Sequence, residues 1–204
     1  MRKLQFSIVL LVIAFTVSCS NSEEKKTEKK EEVKKEFVYS ADKTELEWTA
    51  FKTTKKVPVK GTFQEMMVKN VSQSNSVEEL ISSSTFEINT SSVFSNNDSR
   101  DYLLKEFFFG IMLNTEKITG SFKDVEGGKG IVLIKMNDVE YANPFVYEQK
   151  EGLVKISTKI DLANWNALAS VESINEKCLD LHRGADGVSK TWSEVDVVIV
   201  SALK

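Results

Sequence analysis

His182 is the one histidine of the 204-residue chain, and Cys178, one of its two cysteines, stands four residues before it. At that spacing the two side chains share a helical face if a helix runs through them. A thiol beside an imidazole could act as nucleophile and base, or could begin a zinc site. Zinc wants three or four protein donors, Asp180 would face elsewhere, and no metal site is expected. No oxyanion-stabilising arrangement accompanies the pair. A buried thiol next to a hydrogen-bonded histidine explains both residues without chemistry. The glycine-rich stretch "EGGKG" (126–130) leads from one strand-like run into another, so it reads as a hairpin turn and not as a phosphate loop. The sequence therefore points away from an enzyme and implies no catalytic residue and no cofactor.

The charge excludes a further class. Twenty-seven basic residues face 30 acidic ones, for a formal charge of −3. No excess of positive charge is available to hold a nucleic-acid backbone. A chain of this length suits one sizeable domain with or without a tail, and can bury about 70% of its unfolded surface without disulfides. "KTTKK" (Lys52–Lys56) is a small basic loop, most simply a solvated turn.

The N-terminus carries a different kind of information. Arg2 and Lys3 precede "FSIVLLVIAFTV" (Phe6–Val17), an apolar run too short to cross a bilayer, which takes about 20 residues. Such a run matches the central region of a secretory signal. Ser18 then precedes Cys19, and a small residue before Cys at this place resembles a bacterial lipobox, with Thr16 where that motif prefers Leu. The resemblance implies a signal peptide over 1–18 and lipidation of Cys19; an ordinary signal with an incidental cysteine is the alternative. Residues 19–36 hold six Lys and six Glu and almost nothing apolar. They cannot bury enough surface to offset chain entropy and read as a solvated linker. With Cys19 acylated, Cys178 has no partner within the chain.

From Phe37 the dominant signal is alternation with period two, the mark of strands with one dry face. Leu46, Trp48 and Ala50 form one such face; Val57, Val59, Gly61 and Phe63 another. Phe86 with Ile88, then Ile118, Gly120 and Phe122, and then Val154, Ile156, Ile160 and Leu162 continue the pattern. "GIVLIKM" (130–136) and "EVDVVIV" (194–200) are apolar on both faces and are expected to be covered twice. Two or three short helices fit between: one capped by Ser76 with Glu79 three residues on, one capped by Asp98 or Ser99, and one from Leu162 to His182 with a break near Ser173. Many one-faced strands joined by tight turns predict a mainly β domain over 37–204, an antiparallel closed β-barrel, whose interior is either filled by side chains or holds one small ligand.

Several segments resemble the YceI-like family, lipocalin-like barrels that bind polyisoprenoids or other long-chain lipids. "VYSADKTELEWTAFKTTKKVPVKGTF" (Val38–Phe63) is similar to its opening, and "FEINTSSVFSNNDSRDYLLKEFF" (Phe86–Phe108) to its most specific block. "KITGSFKDV" (Lys117–Val125) resembles its next strand. Tyr102 and Phe109 stand where that pattern often has His and Asp. The resemblance implies an envelope lipoprotein, periplasmic or on the outer membrane, held to a membrane through its lipid anchor. Its barrel would bind a long apolar ligand, a polyisoprenoid, a quinone or a fatty-acyl lipid, for transport or storage. A structural or interaction lipoprotein with a solidly packed barrel is the alternative, and a homodimer is left open. The inward residues expected to contact the ligand are Trp48, Val59, Gly61, Phe63, Phe86, Ile88, Phe107, Phe108, Ile118, Gly120, Phe122, Ile156 and Ile160. Arg100 and Asp101 would pin a helix over one barrel end. Phe107 and Phe108 would either line the channel or seal that end as core, and the two glycines would either leave room for the ligand or relieve strain at bends.

Overall fold

The alternating segments form ten strands: β1 (Tyr39–Lys52), β2 (Val57–Phe63), β3 (Met66–Lys69), β4 (Thr85–Asn89), β5 (Val93–Phe94), β6 (Lys117–Glu126), β7 (Lys129–Met136), β8 (Val139–Lys150), β9 (Leu153–Asp161) and β10 (Thr191–Leu203). The computed structural model describes residues 37–69 and 74–203, without the side chains of 41 and 42. The signal segment, Cys19 and the linker over 19–36 lie outside the described residues. All strand pairs are antiparallel, in the order β3-β4-β6-β7-β8-β9-β10-β1-β2-β5.

The expected closed barrel is instead a strongly curled half-barrel. Its end strands, β3 and β5, share no ladder among the described residues. They are short because the chain turns a corner there. Gln64 and Glu65 link β2 to β3, with the Gln64 N–H donating to the Ser92 carbonyl and the Asn89 N–H to the Glu65 carbonyl, each at 3.0 Å. The Ser92 hydroxyl accepts from the Glu65 N–H at 3.0 Å. β2 therefore pairs with β5, and β3 with β4, on the two sides of one bend.

Inside the curl the dry faces meet as one main core cluster and a smaller one around Leu46, Trp48, Ile88 and Val93. Charges stay on the outer face. Glu87 is set between Lys69 and Lys117, and the hydrogen bonds from Lys117 and Lys69 hold its carboxyl at about 2. β10 is half-buried along its whole length, whereas β7 alternates, with Gly130, Val132, Ile134 and Met136 buried and Ile131 and Leu133 half-buried. The expected double cover thus applies to the apolar stretch of β7 at least as well as to β10.

Pro144 sits within β8, paired with Ile131 of β7. On its other side it has no N–H to give to β9. The β8–β9 ladder accordingly starts only at Phe145 and Thr158. Asn143, buried, supplies the missing donor: its Nδ2 reaches the Lys159 carbonyl at 3.0 Å and the Thr158 hydroxyl at 2.7 Å. The side chain of one residue does the work of its neighbour's absent N–H.

Three helices cover the ends. Helix α1 (Val77–Ser83) is capped as expected: the Ser76 hydroxyl accepts from the Glu79 N–H, and Glu79 reaches back to the Asn75 N–H. Helix α2 (Asp98–Phe107) is capped by Asn97, one residue before the expected Asp98. Asp101 is buried and accepts from the Ser95 N–H at 2.8 Å and from the Ser95 hydroxyl, which fixes the loop entering the helix. The long helical stretch breaks at Asn166, which is left-handed at φ 55°, not at Ser173. A 3-10 turn (Leu162–Trp165) precedes the break and helix α3 (Leu168–Lys177) follows it. Trp165 is 0% exposed, and its indole N–H donates to the Ile134 carbonyl at 2.9 Å.

Asn143→Leu is expected to cost about 1–3 kcal/mol, because the Lys159 carbonyl loses its donor while remaining at the strand seam. Urea unfolding of the variant against the parent measures this.

Candidate ligand-binding site

An interior cavity of about 170 Å³ runs within the curl. Every strand except β5 and β8 contributes to its wall, as do Leu80 and Ile81 of α1. None of its described lining residues is charged. Eight of the residues expected from alternation line it: Trp48, Phe63, Phe86, Ile88, Ile118, Phe122, Ile156 and Ile160. They come from five separate strands, and the curl alone brings them together.

Five of the expected residues stand elsewhere. Val59 packs outside the cavity against the smaller core cluster. Gly61 and Gly120 leave no passage for a ligand, because the chain's own rings fill the space above them. A Cβ on Gly61 would fall 2.2 Å from Cζ2 of Trp48, its cross-strand partner. One on Gly120 would fall 2.3 Å from Cζ of Phe86, again its cross-strand partner, and 2.4 Å from the Leu133 carbonyl. Gly130 repeats the arrangement with Phe145, at 2.6 Å from Cζ. In all three pairs an aromatic ring lies over a glycine across the ladder, a known device for making a bare strand position pack. The ring is thereby held against the wall and does not cross the interior.

Phe107 and Phe108 do not line the cavity either. Phe107 is on the outer side of α2, with the Lys177 ammonium of α3 4.5 Å from its ring centre and the Tyr102 ring on its edge at 6.3 Å. Phe108 packs on the main core and stands edge-on to Phe109 at 4.9 Å. Phe109 reaches furthest in, touching both core clusters and tilting against Phe63 at 5.9 Å. The aromatic run therefore divides, with one ring outside under a lysine and two acting as an end plug. Alternation gave no hint of the contributions from α1 or β3, since Leu80, Ile81, Met66 and Val68 lie in segments with no long period-two signal.

Cys178 and His182 lie outside the cavity. Cys178 is buried, and burial pushes its thiol pKa up, away from the reactive thiolate. His182 shares a hydrogen bond of 2.7 Å between Nδ1 and the Thr191 hydroxyl. Burial, aided by the charges of Lys52 and Arg100, lowers it from 6.5 to about 4. Neither group is tuned to take or give a proton near neutrality. Among the described residues no cluster of three metal-ligating side chains occurs.

Among known proteins, no family model and no curated sequence matches this chain. Solved structures do. A polyisoprenoid binding domain from Saccharophagus degradans implicated in plant cell wall breakdown overlays with a TM-score of 0.57 at 12% identity, covering 83% of this chain and 97% of that one. Burkholderia cenocepacia BcnA overlays at 0.52 and 12% identity, covering 81% and 99%. A Campylobacter jejuni YCEI protein scores 0.41 at 17% identity, covering 68% and 83%. The first two overlays show a shared fold, in keeping with the fold that the sequence resemblance implies.

Gly130→Ala is expected to destabilise by about 1–3 kcal/mol by overpacking. Adding Phe145→Leu should recover part of that cost, so a double-mutant cycle will be non-additive. The same cycle at Gly120 and Phe86 should recover little, because the Leu133 carbonyl remains in the way. Chemical denaturation of the six variants and the parent checks both. Protonation supplies a second test. The folded chain refuses a proton at His182 until about pH 4, whereas the unfolded chain accepts it near 6.5. Stability is therefore full above 6.5 and declines as pH falls toward 4. The carboxylates held low in the fold, Glu78, Glu87, Asp186 and Glu194, add to the slope once the unfolded chain's carboxyls begin to protonate, so between about 6.5 and 5.5 the slope belongs to His182 and should flatten in His182→Gln.

Proposed function

We propose that this chain is an envelope lipoprotein whose curled sheet carries a long apolar ligand, a polyisoprenoid, a quinone or a fatty-acyl lipid, for transport or storage. The single observation that carries this reading is the uncharged interior cavity. Such a site binds by area: at roughly 25 cal/mol per Å² of apolar surface, a hydrocarbon chain needs few polar contacts. The likeness of fold to a polyisoprenoid binding domain supports it. In the same reading the corner at Gln64–Glu65 closes the half-barrel into a working barrel, residues 1–18 are removed as a signal, and Cys19 carries the lipid that holds the linker and the domain to the periplasmic or outer-membrane surface.

The size of the cavity favours a second reading. A volume of about 170 Å³ is below the roughly 300–1,000 Å³ of sites for drug-sized ligands, and near the ~150 Å³ of an engineered dry cavity that takes up benzene. A long chain would have to turn wall side chains aside. An interaction lipoprotein whose barrel never opens would not.

The two readings separate on purification from the native host in mild detergent followed by native mass spectrometry. A carrier retains an apolar ligand of discrete mass, and Cys178→Ala and His182→Ala retain it equally. Protein that returns only its own mass, alone and after incubation with farnesol, would overturn the carrier reading. Cys19→Ser should move the protein from the membrane to the soluble fraction, independently of ligand.

A further inference from the structure

We infer that the end of the domain formed by the β1–β2 turn and the hairpin before β10 docks onto an anionic lipid bilayer. The inference concerns the outside of the domain and is independent of what the cavity holds.

The two loops make one fastened surface. Residues 182–190, between α3 and β10, fold back on themselves: Arg183 bridges to Ser189, the Gly184 N–H donates to the Val188 carbonyl at 2.8 Å, and Gly187 turns at φ 78°. This hairpin is tied to the β1–β2 turn. The Thr53 N–H donates to the Lys190 carbonyl at 2.8 Å, and the Thr54 hydroxyl to Asp186 at 2.6 Å. The Lys52 ammonium donates to the Leu181 carbonyl at 3.0 Å, and the Trp192 indole N–H to the Thr53 carbonyl at 2.7 Å.

That surface presents oil to water. Leu181 is 66% exposed, and Leu179, Val188 and Val57, the first residue of β2, are 49%, 50% and 42% exposed. Single exposed aliphatic residues are ordinary on a protein surface. Four on two bonded loops form a patch of the kind that marks an interaction site. The opposite end of the strands, at the β6–β7 and β8–β9 turns, shows Leu153 among glycines and charged residues.

Charge selects the occupant. Residues 52–56 and 179–190 hold Lys52, Lys55, Lys56, Arg183 and Lys190 against Asp180 and Asp186, an excess of positive charge in a chain of formal charge −3. Asp180 is paired with Arg183 at 3.3 Å, and Asp186 accepts from the Thr54 hydroxyl and the Val188 N–H. Glu194 of β10 is paired with Lys56. The ammonium groups of Lys190 and Lys56 stand 3.6 and 4.2 Å from the Trp192 ring centre, so cations and an aromatic ring rim the aliphatic patch. Apolar side chains that enter the head-group boundary, with Lys and Arg beside them to meet phosphates, hold a folded domain to a membrane surface. An anionic bilayer supplies hydrocarbon and negative charge at one boundary and so matches both parts of this surface.

The test is sedimentation with sucrose-loaded vesicles of the chain from residue 19 onward carrying Cys19→Ser, so that neither the apolar N-terminal run nor an acyl chain contributes. The ten strands, the helices and both core clusters lie within residues 37–203, and circular dichroism checks that each protein is folded. Vesicles of phosphatidylcholine with about one third phosphatidylglycerol should bind at least about tenfold more tightly than phosphatidylcholine alone, and added salt should weaken that binding. Leu179→Asp combined with Leu181→Asp should lower binding to the anionic vesicles about tenfold or more, and Lys55→Glu about fivefold. Leu153→Asp, at the opposite end, should leave it unchanged. Equal binding to both vesicle types overturns the inference, as does a loss in Leu153→Asp that the hairpin variants do not show. Binding to neither vesicle overturns the bilayer as occupant and turns the surface over to an acidic protein partner.

Discussion

The interior of this protein depends on three aromatic rings that rest on glycines. Trp48 lies over Gly61, Phe86 over Gly120 and Phe145 over Gly130, each across one rung of the ladder. A large ring on an inward-facing strand position would ordinarily stand up into the interior and fill it. With no Cβ opposite, the ring leans onto the neighbouring strand instead. The sheet gains packing where it would otherwise be bare, and the middle of the curl keeps its volume. The same three contacts thus serve stability and leave the cavity in being. They also explain why the inward face holds so much aromatic surface without being solid.

Satisfying backbone polarity is the second constraint, and it shapes the ends and seams. Asn143 makes good the N–H that Pro144 lacks. Trp165 buries its ring fully only because the Ile134 carbonyl receives its N–H. Asn137, in the β7–β8 turn, accepts from the Leu113 N–H and donates to the Trp165 carbonyl, so one side chain ties together three segments that are distant in sequence. Among the described residues no buried side-chain nitrogen or oxygen lacks a partner. Polar groups near the interior are thereby consumed by structure, and the cavity wall is left oily.

That separation bears on function. The titratable groups with the most enzyme-like identities, Cys178 and His182, are turned into structural members by burial and by the hydroxyl of Thr191. What the interior presents is shape and apolar area.

Much of the fold was legible in the sequence because a period of two reports directly which side chains share a face. The inward sides of β1, β6 and β9 follow from it, as does the cap of α1, whose Ser and Glu sit three apart for a local reason. Eight lining residues were legible for the same cause. Long-range geometry hid the rest. Alternation says that Gly61 faces inward but not that Trp48 will lie on it; that is decided by register between strands. The run Phe107–Phe109 shows large apolar side chains but not which one reaches the core, since the end of α2 and the following turn rotate each ring differently. The corner at Gln64–Glu65 and the break at Asn166 depend on partners many residues away. By itself, then, the chain determined an oily, alternating, one-faced sheet with a signal-like start. Only tertiary structure decided whether the enclosed faces left space, because a void is a property of opposing walls and no single strand contains both.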